Sequence, residues 1–286
     1  ALLAATITAR CFAQVSSSLL VLLASVALPF ASASATLPWT QAPAPTPAWE
    51  ARSHHAAVAL ANGQVVTTGG SGLGGAALTD VHATVAGAPG GAVLSPVAGS
   101  GFTGRYGHAI AAVPGSLTTF MAIAGFRSGS GYLNDALRTI DGGATFASAS
   151  GSVFTTGRYQ AGLVARVGSP TPWVAFGGET YNAVNYPRYN EVRQSVDDGA
   201  TWTTLRADGG LGGECASDPA LWSKRMGFAS AYLPLLDRIV LAGGGGSTAG
   251  ERHDDVWASD DGGTCWVELV PNSATVATTG YHGAKL

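Results

Sequence analysis

The octapeptide SVDDGATW at Ser195–Trp202 is a polar island in an apolar, glycine-rich chain, and it recurs: TIDGGATF occupies Thr139–Phe146 and SDDGGTCW occupies Ser259–Trp266. One frame fits all three, a hydroxyl residue followed by Asp two positions on, Gly four on and an aromatic seven on. It is filled by Ser195, Asp197, Gly199 and Trp202, by Thr139, Asp141, Gly143 and Phe146, and by Ser259, Asp261, Gly263 and Trp266. The copies begin 56 and 64 residues apart. Self-similarity at such a period marks a repeat architecture, which has to be recognised before local structure is assigned.

Working outward, each octapeptide sits late in a unit that opens on a cation. The openings are ARSHHAAVAL (51–60), GRYGHAIAAV (104–113), GRYQAGLVAR (157–166) and KRMGFASAYL (224–233), and Arg52, Arg105, Arg158 and Arg225 are spaced 53, 53 and 67 residues apart. A turn follows, then a second apolar run ending in glycine: QVVTTGG (64–70), FMAIAG (120–125), WVAFGG (173–178) and IVLAGGGG (239–246). After a polar loop comes a third short segment with an acid at its start, Asp80, Asp135, Glu191 or Asp255, and the octapeptide leads into a fourth.

Four short strands per unit of about 50 residues is the pattern of a β-propeller blade. The inner strands read as near-continuous apolar runs because both their faces are buried between neighbouring blades. The paired glycines supply positive φ and leave room where blades converge. The fold class expected is therefore all-β, a propeller of four-stranded antiparallel blades at about 51–103, 104–156, 157–223 and 224–279.

On these residues the chain resembles a known family. The R-x-x-H openings (Arg52/His55 and Arg105/His108), the GG closing the second strand and the aromatic of the fourth are similar to kelch repeats, as in the central domain of galactose oxidase. The octapeptide resembles the Asp-box of sialidases. The first repeat departs from the pattern, with APGG (88–91) where an Asp-box would stand, and the third and fourth lack the opening His. The resemblance implies that the octapeptide is a structural turn between strands three and four. Asp197 would accept hydrogen bonds from turn amides, Gly199 would be left-handed and Trp202 would pack between blades. Each copy has too few oxygen donors for calcium.

Composition narrows the function. Only 12% of the 286 residues are charged, the net charge is −3, and Lys occurs only at 224 and 285. That leaves no basic footprint for nucleic acid. Near the N-terminus, Arg10 precedes the apolar run LLVLLASVAL (19–28) and then ASASA (31–35). This reads as a secretory signal peptide over 1–35, too short to span a bilayer. The chain is thus expected to be secreted, with no membrane span once the leader is removed. In an oxidising compartment Cys215 and Cys265 could pair. The propeller geometry, however, places Cys215 on the loop-rich rim and Cys265 in an octapeptide turn on the opposite face, farther apart than the roughly 7 Å a disulfide allows. They are expected to stay unpaired unless 206–223 folds down the outer edge.

The ring is not expected to close with four blades. Residues 36–42 resemble a fourth strand without its first three, and GYHGAKL (280–286) resembles the start of a further blade, so the intact protein is expected to carry more blades. Strand alternation places 71–79, 126–134, 179–190 and 245–254 on one rim. That rim gathers Arg127, Tyr132, Glu179, Tyr181, Tyr186, Arg188, Tyr189, Arg252 and His253, with Arg52, Arg105, Arg158 and Arg225 at its inner edge. Tyr and Arg are the residue types of binding hot spots. The four opening arginines allow two readings, a ring of guanidiniums for an anion or structural pairing with an acid or carbonyl of a neighbouring blade. No catalytic residue, metal-ligand pattern or cofactor motif can be assigned. The reading that results is a secreted module binding a protein or glycan ligand through the rim. A sialidase-like hydrolase, needing an arginine cluster with a Tyr/Glu pair, or a copper oxidase resembling galactose oxidase, are the alternatives.

Overall fold

The computed structural model describes residues 49–85, 94–168, 170–209, 222–248 and 250–273. Residues 1–35, expected to be a leader, residues 36–42, expected to be a strand, the APGG segment, Cys215 and residues 280–286, expected to open a further blade, lie outside the described residues.

The first sheet contains β1 (Ala56–Ala59), β2 (Val65–Thr68), β3 (Val81–Ala83) and β4 (Ser95–Val97). The second contains β5 (Ala109–Ala112), β6 (Phe120–Ile123), β9 (Ala136–Thr139) and β10 (Ala147–Ser150), with a small rim hairpin, β7 (Phe126–Arg127) and β8 (Gly131–Tyr132), set between β6 and β9. The third contains β11 (Gly162–Ala165), β12 (Trp173–Phe176), β13 (Val192–Ser195) and β14 (Thr203–Arg206), and the fourth β15 (Ala229–Leu233), β16 (Arg238–Gly245), β17 (Arg252–Ser259) and β18 (Val267–Val270). Every sheet is antiparallel, with its strands paired in chain order from the innermost outward. The described residues form a four-bladed β-propeller.

The core is divided into three slabs, one between each pair of consecutive blades, as the period-2 alternation of strand side chains requires. In β6, Phe120 and Ala122 face blade 1 and join Val66 and Val81, whereas Met121 and Ile123 face blade 3 and join Leu163 and Trp173. In β12, Val174 and Phe176 turn the other way and meet Ile239 and Leu241 of blade 4. All of these except Leu163 and Val81 are 0% exposed.

The octapeptides are the turns between strands three and four. The Ser195 hydroxyl donates to Asp197 Oδ1 (2.8 Å) and accepts from Gly199 N–H (2.9 Å), while Asp197 accepts from Thr201 N–H (2.9 Å) and Oγ1 (2.5 Å). Trp202 Nε1 donates to the Gly199 carbonyl (3.0 Å). The same bonds recur at Thr139, Asp141 and Gly143, and at Ser259, Asp261 and Gly263, where Trp266 Nε1 bonds back to Gly263. Gly199 has φ +92°, and a Cβ there would lie 2.3 Å from Met121 of the preceding blade, so the turn is tied both to a left-handed residue and to a close approach. Phe146, Trp202 and Trp266 are carried into the three slabs.

Two expectations are corrected. Cys265 is disulfide-bonded, although blade geometry predicted it unpaired; its partner lies outside the described residues. Residue 245 and residues 252–254, expected in a rim loop, belong to β16 and β17, whose ladder continues through Gly244↔His253 and Gly245↔Arg252. In blades 1 to 3 the corresponding residues share one backbone bond, as with Leu78 N–H to the Gly70 carbonyl (2.9 Å), and the next blade's arginine takes the place of the second, with Gly70 N–H bonded to the Arg105 carbonyl (2.9 Å) and Arg105 N–H to the Leu78 carbonyl (3.3 Å).

Candidate functional site

The four opening arginines occupy equivalent positions and make equivalent bonds. Arg52 is bidentate to Asp80 (2.6 and 2.6 Å), Arg105 to Asp135 (2.7 and 2.7 Å) and Arg225 to Asp255 (2.5 and 2.7 Å), and Arg158 pairs with Glu191. Three of them also donate to a backbone carbonyl at the equivalent position, those of Gly69, Ala124 and Gly243. Each acid belongs to the arginine's own blade, not to a neighbour. The Arg105, Arg158 and Arg225 side chains are 0% exposed. An aromatic just upstream packs near each guanidinium: Trp49 at 4.0 Å, Phe102 at 5.7 Å, Phe154 at 5.1 Å and Trp222 at 5.9 Å. As placed, these arginines hold the inner ends of their blades together, with their anion-binding edges already filled.

The residue after each arginine has a different role. Tyr106 exchanges backbone bonds with Phe126 (3.0 and 2.8 Å), and Tyr159 does so with Glu179 (2.8 and 3.0 Å). These short bridges lift the side chains onto the rim, where they assemble with Tyr132 of β8 and His54. Tyr106 and Tyr159 pack edge to face with centroids 6.0 Å apart, Tyr132 meets Tyr159 at 6.4 Å, and His54 lies 6.0 Å from Tyr159 and 6.3 Å from Tyr106. Phe126 closes the group at 5.3 Å from both Tyr106 and Tyr132. Burial pushes the Tyr132 and Tyr159 phenols up to about 12, with Glu179 adding to the effect on both. Glu179 is itself buried, which raises its carboxyl despite Arg188, whose Nε is 3.4 Å away.

Of the residues expected on the rim, Tyr132, Glu179 and Arg188 fall in or beside this cluster. Tyr181 and Tyr186 pack as a tilted pair with centroids 4.9 Å apart and are half-exposed. Arg127 is exposed on β7, whereas Tyr189 turns inward against the Arg158 guanidinium (3.5 Å). Arg252 Nη1 donates to the Glu251 carbonyl (2.7 Å). His253 stands apart on blade 4 between Ser223 Oγ (3.1 Å) and Asn272 Nδ2 (3.0 Å), and burial, helped by Arg225, lowers its basicity. His54, Tyr106, Phe126 and Tyr159 were not foreseen, although RY stands at both Arg105–Tyr106 and Arg158–Tyr159. Their place on the rim follows from the bridge to the residue beyond the strand-two glycine, a pairing that no local pattern reports.

At the opposite end of the axis the four innermost strands line a groove of about 380 Å³, floored by Val58, Ile110, Ala111, Val164 and Ala231 and polar chiefly at Ser230 and Tyr232. It brings together no charged side chains. Among the described residues, no three His, Cys, Asp or Glu side chains gather as cation ligands, and no helix is long and apolar enough to cross a membrane. Compared with protein-family models and with curated protein sequences, the chain matches none significantly. Fold and site together define the class, a four-bladed β-propeller with an aromatic and carboxylate cluster on one rim.

Proposed function

We propose that the chain is a secreted kelch-type β-propeller with Asp-box turns, and that it binds a glycan or protein ligand through the rim cluster of His54, Tyr106, Tyr132, Tyr159 and Glu179. The observation that carries the reading is that these side chains, drawn from three blades, converge on one surface and hold up no strand ladder there. Tyrosine offers rigid contact area with a polar tip, suited to the apolar face and hydroxyl edge of a sugar or to a polar peptide. Glu179 and Arg188 supply an acceptor and a donor beside it. The apolar run and small-residue segment at the N-terminus support secretion, and the recurring Arg, GG and octapeptide support the kelch and Asp-box assignment.

The test is binding to immobilised glycan and extracellular-protein panels by the chain and by its Tyr106→Ala and Tyr159→Ala variants. Retained hits that both variants lose at unchanged melting temperature support the proposal. Hits indifferent to both variants, or none at all, refute it. The nearness of Tyr159 to Glu179 keeps a sialidase-like hydrolase as a second reading, although the arginines such chemistry needs are ion-paired here. Hydrolysis of a fluorogenic sialoside, abolished by Tyr159→Phe, would replace binding with catalysis.

A further inference from the structure

Blade 4 carries an imidazole where the other blades carry Leu or Tyr. Two residues before the acid that pairs with each opening arginine stand Leu78, Leu133, Tyr189 and His253. The first three give their carbonyls to the next blade's arginine N–H, across the seam between blades. His253 lies in the β16–β17 ladder opposite Gly244, with its side chain 6% exposed.

The hydrogen bonds around this ring admit one assignment. Asn272 Oδ1 accepts from Asp254 N–H (2.9 Å), so the other end of that amide is its NH2 group, which faces His253 Nδ1 (3.0 Å) and Asp255 Oδ2 (3.4 Å). Nδ1 is therefore an acceptor, and the ring proton sits on Nε2. That proton points to Ser223 Oγ (3.1 Å), which also accepts from Arg225 Nη2 (2.8 Å). Ser223 is the hydroxyl two residues before the arginine, the place that Thr103 and Thr156 hold before Arg105 and Arg158. The imidazole thus joins the support of a buried ion pair on one side to the chain leaving β18 on the other. Asp254 completes the attachment, accepting from Ser273 N–H (2.8 Å) and Oγ (2.6 Å).

A second proton can enter only at Nδ1, where the Asn272 NH2 group already stands, and two donors would then face each other. Turning the amide over brings no relief, because its NH2 group would meet Asp254 N–H. The charged groups facing the ring are Arg225 and Arg188, which oppose its protonation, and Glu251, Asp254 and Asp255, which favour it. The carboxylates are already engaged. Asp255 is bidentate to Arg225, Asp254 holds Ser273, and Glu251 Oε2 accepts from Thr248 N–H and Oγ1 (both 2.8 Å), with its Oε1 3.5 Å from His253 Nε2. Burial, helped by Arg225, outweighs them and holds the imidazole below its ordinary basicity.

We infer that His253 is a proton-operated clasp: neutral, it fastens Asn272 to β17, and charged, it releases Asn272 and with it the Asp254 N–H. Because folding favours the neutral ring, the clasp is closed above about pH 6.5 and opens as pH falls through the ring's lowered midpoint, leaving only the two bonds between Asp254 and Ser273. No side chain of the rim cluster takes part, so the inference stands apart from the ligand-binding proposal.

NMR and amide exchange on the full chain test it. Long-range proton–nitrogen spectra, with the His253 signals identified by their loss in His253→Gln, are expected to show the Nε2–H tautomer at neutral pH and a titration midpoint below that of an exposed histidine. Protection of the Asp254 amide, corrected for intrinsic exchange, is expected to fall about tenfold as pH is lowered through that midpoint, while Gly199 and Thr201 keep theirs. His253→Gln, which takes up no proton, should show no such fall. Asn272→Asp gives Nδ1–H a carboxylate to bond and should raise the midpoint by about one unit or more, a readout that does not depend on the His253 variant folding. An Nδ1–H tautomer, a midpoint at or above that of an exposed histidine, or one indifferent to Asn272→Asp overturns the inference. So does Asp254 protection that stays constant through the midpoint, or that falls equally in His253→Gln.

Discussion

Glu191→Gln tests whether the buried arginine pairs hold the blades. The substitution keeps the shape of the side chain and removes its charge, leaving Arg158, 0% exposed, without its anionic partner. What remains to the guanidinium is Thr156, Thr155 and the Tyr189 ring, none of them charged. Removing one member of a buried pair costs about 3–5 kcal/mol, because the other charge stays desolvated. In a domain of this size each kcal/mol lowers the melting temperature by about 2–4 °C, so a loss of roughly 4 kcal/mol corresponds to about 8–16 °C. Asp255→Asn should match it, since Asp255 is equally buried at 2% and also accepts from Trp257 Nε1 (2.8 Å). Asp80→Asn is the internal control. The Asp80 side chain is 37% exposed, water can take over part of its role, and the cost expected is about 1–2 kcal/mol. Thermal and urea unfolding followed by tryptophan fluorescence gives the comparison. If Asp80→Asn proves as costly as Glu191→Gln, burial does not set the strength of these pairs and the reasoning fails.

Three further outcomes follow from the same geometry. Hydrogen bonds from Thr201 and Ser195 depress Asp197 to about 2 from the ordinary 3.8. Its contribution is therefore complete above about pH 4 and lost as pH falls toward 2, and Asp197→Asn should flatten the acid limb of a stability–pH curve in that window while lowering stability at neutral pH. Tyr132 and Tyr159 should ionise near 12 in an ultraviolet difference titration, two units above exposed tyrosines. Their neutral forms are favoured by folding, so that contribution is present below pH 10 and fades as pH rises from 10 to 12; Tyr159→Phe should remove one late-titrating group. Gly107→Ala should cost about 2–4 kcal/mol, combining a left-handed φ of +61° with a Cβ that would lie 2.0 Å from the Tyr159 ring. A thermal scan showing no loss would mean that the Tyr159 ring moves aside freely, and that the rim cluster is looser than described.

The parts of this fold that could be read from the sequence are those made within one stretch of chain. SVDDGATW contains donor, acceptor, left-handed glycine and packing aromatic within eight residues, so its turn follows from the string alone. The two-sided burial of FMAIAG and WVAFGG is likewise local, because both neighbours demand apolar side chains. The partner of Arg158 was harder to assign. Arg and Glu191 recur in register, but nothing in the string distinguishes pairing within a blade from pairing across a seam. His54 and Gln160 were harder still. At φ +54° and +52° they adopt a conformation usually left to glycine, which is what Gly107 and Gly227 supply at the same position in the other blades. Only the seam explains the choice, since each must present its carbonyl to the following blade.

The same division accounts for where a ligand site can arise. At Arg105, Gly107, His108 and Gly125 the polar groups are used within the blade or across a seam, so substitutions there change stability before they change recognition. Tyr106 and Tyr159 escape that constraint, because the backbone bridge that lifts them uses only their N–H and C=O groups and leaves the side chain unspecified. The equivalent positions prove the point: Ser53 pairs with Ser71 and Met226 with Gly245 through the same backbone bonds, with no aromatic side chain at either. Tyrosine at two of the four positions is therefore not required by the propeller, and the contact area it creates with His54, Tyr132 and Glu179 is free to serve binding.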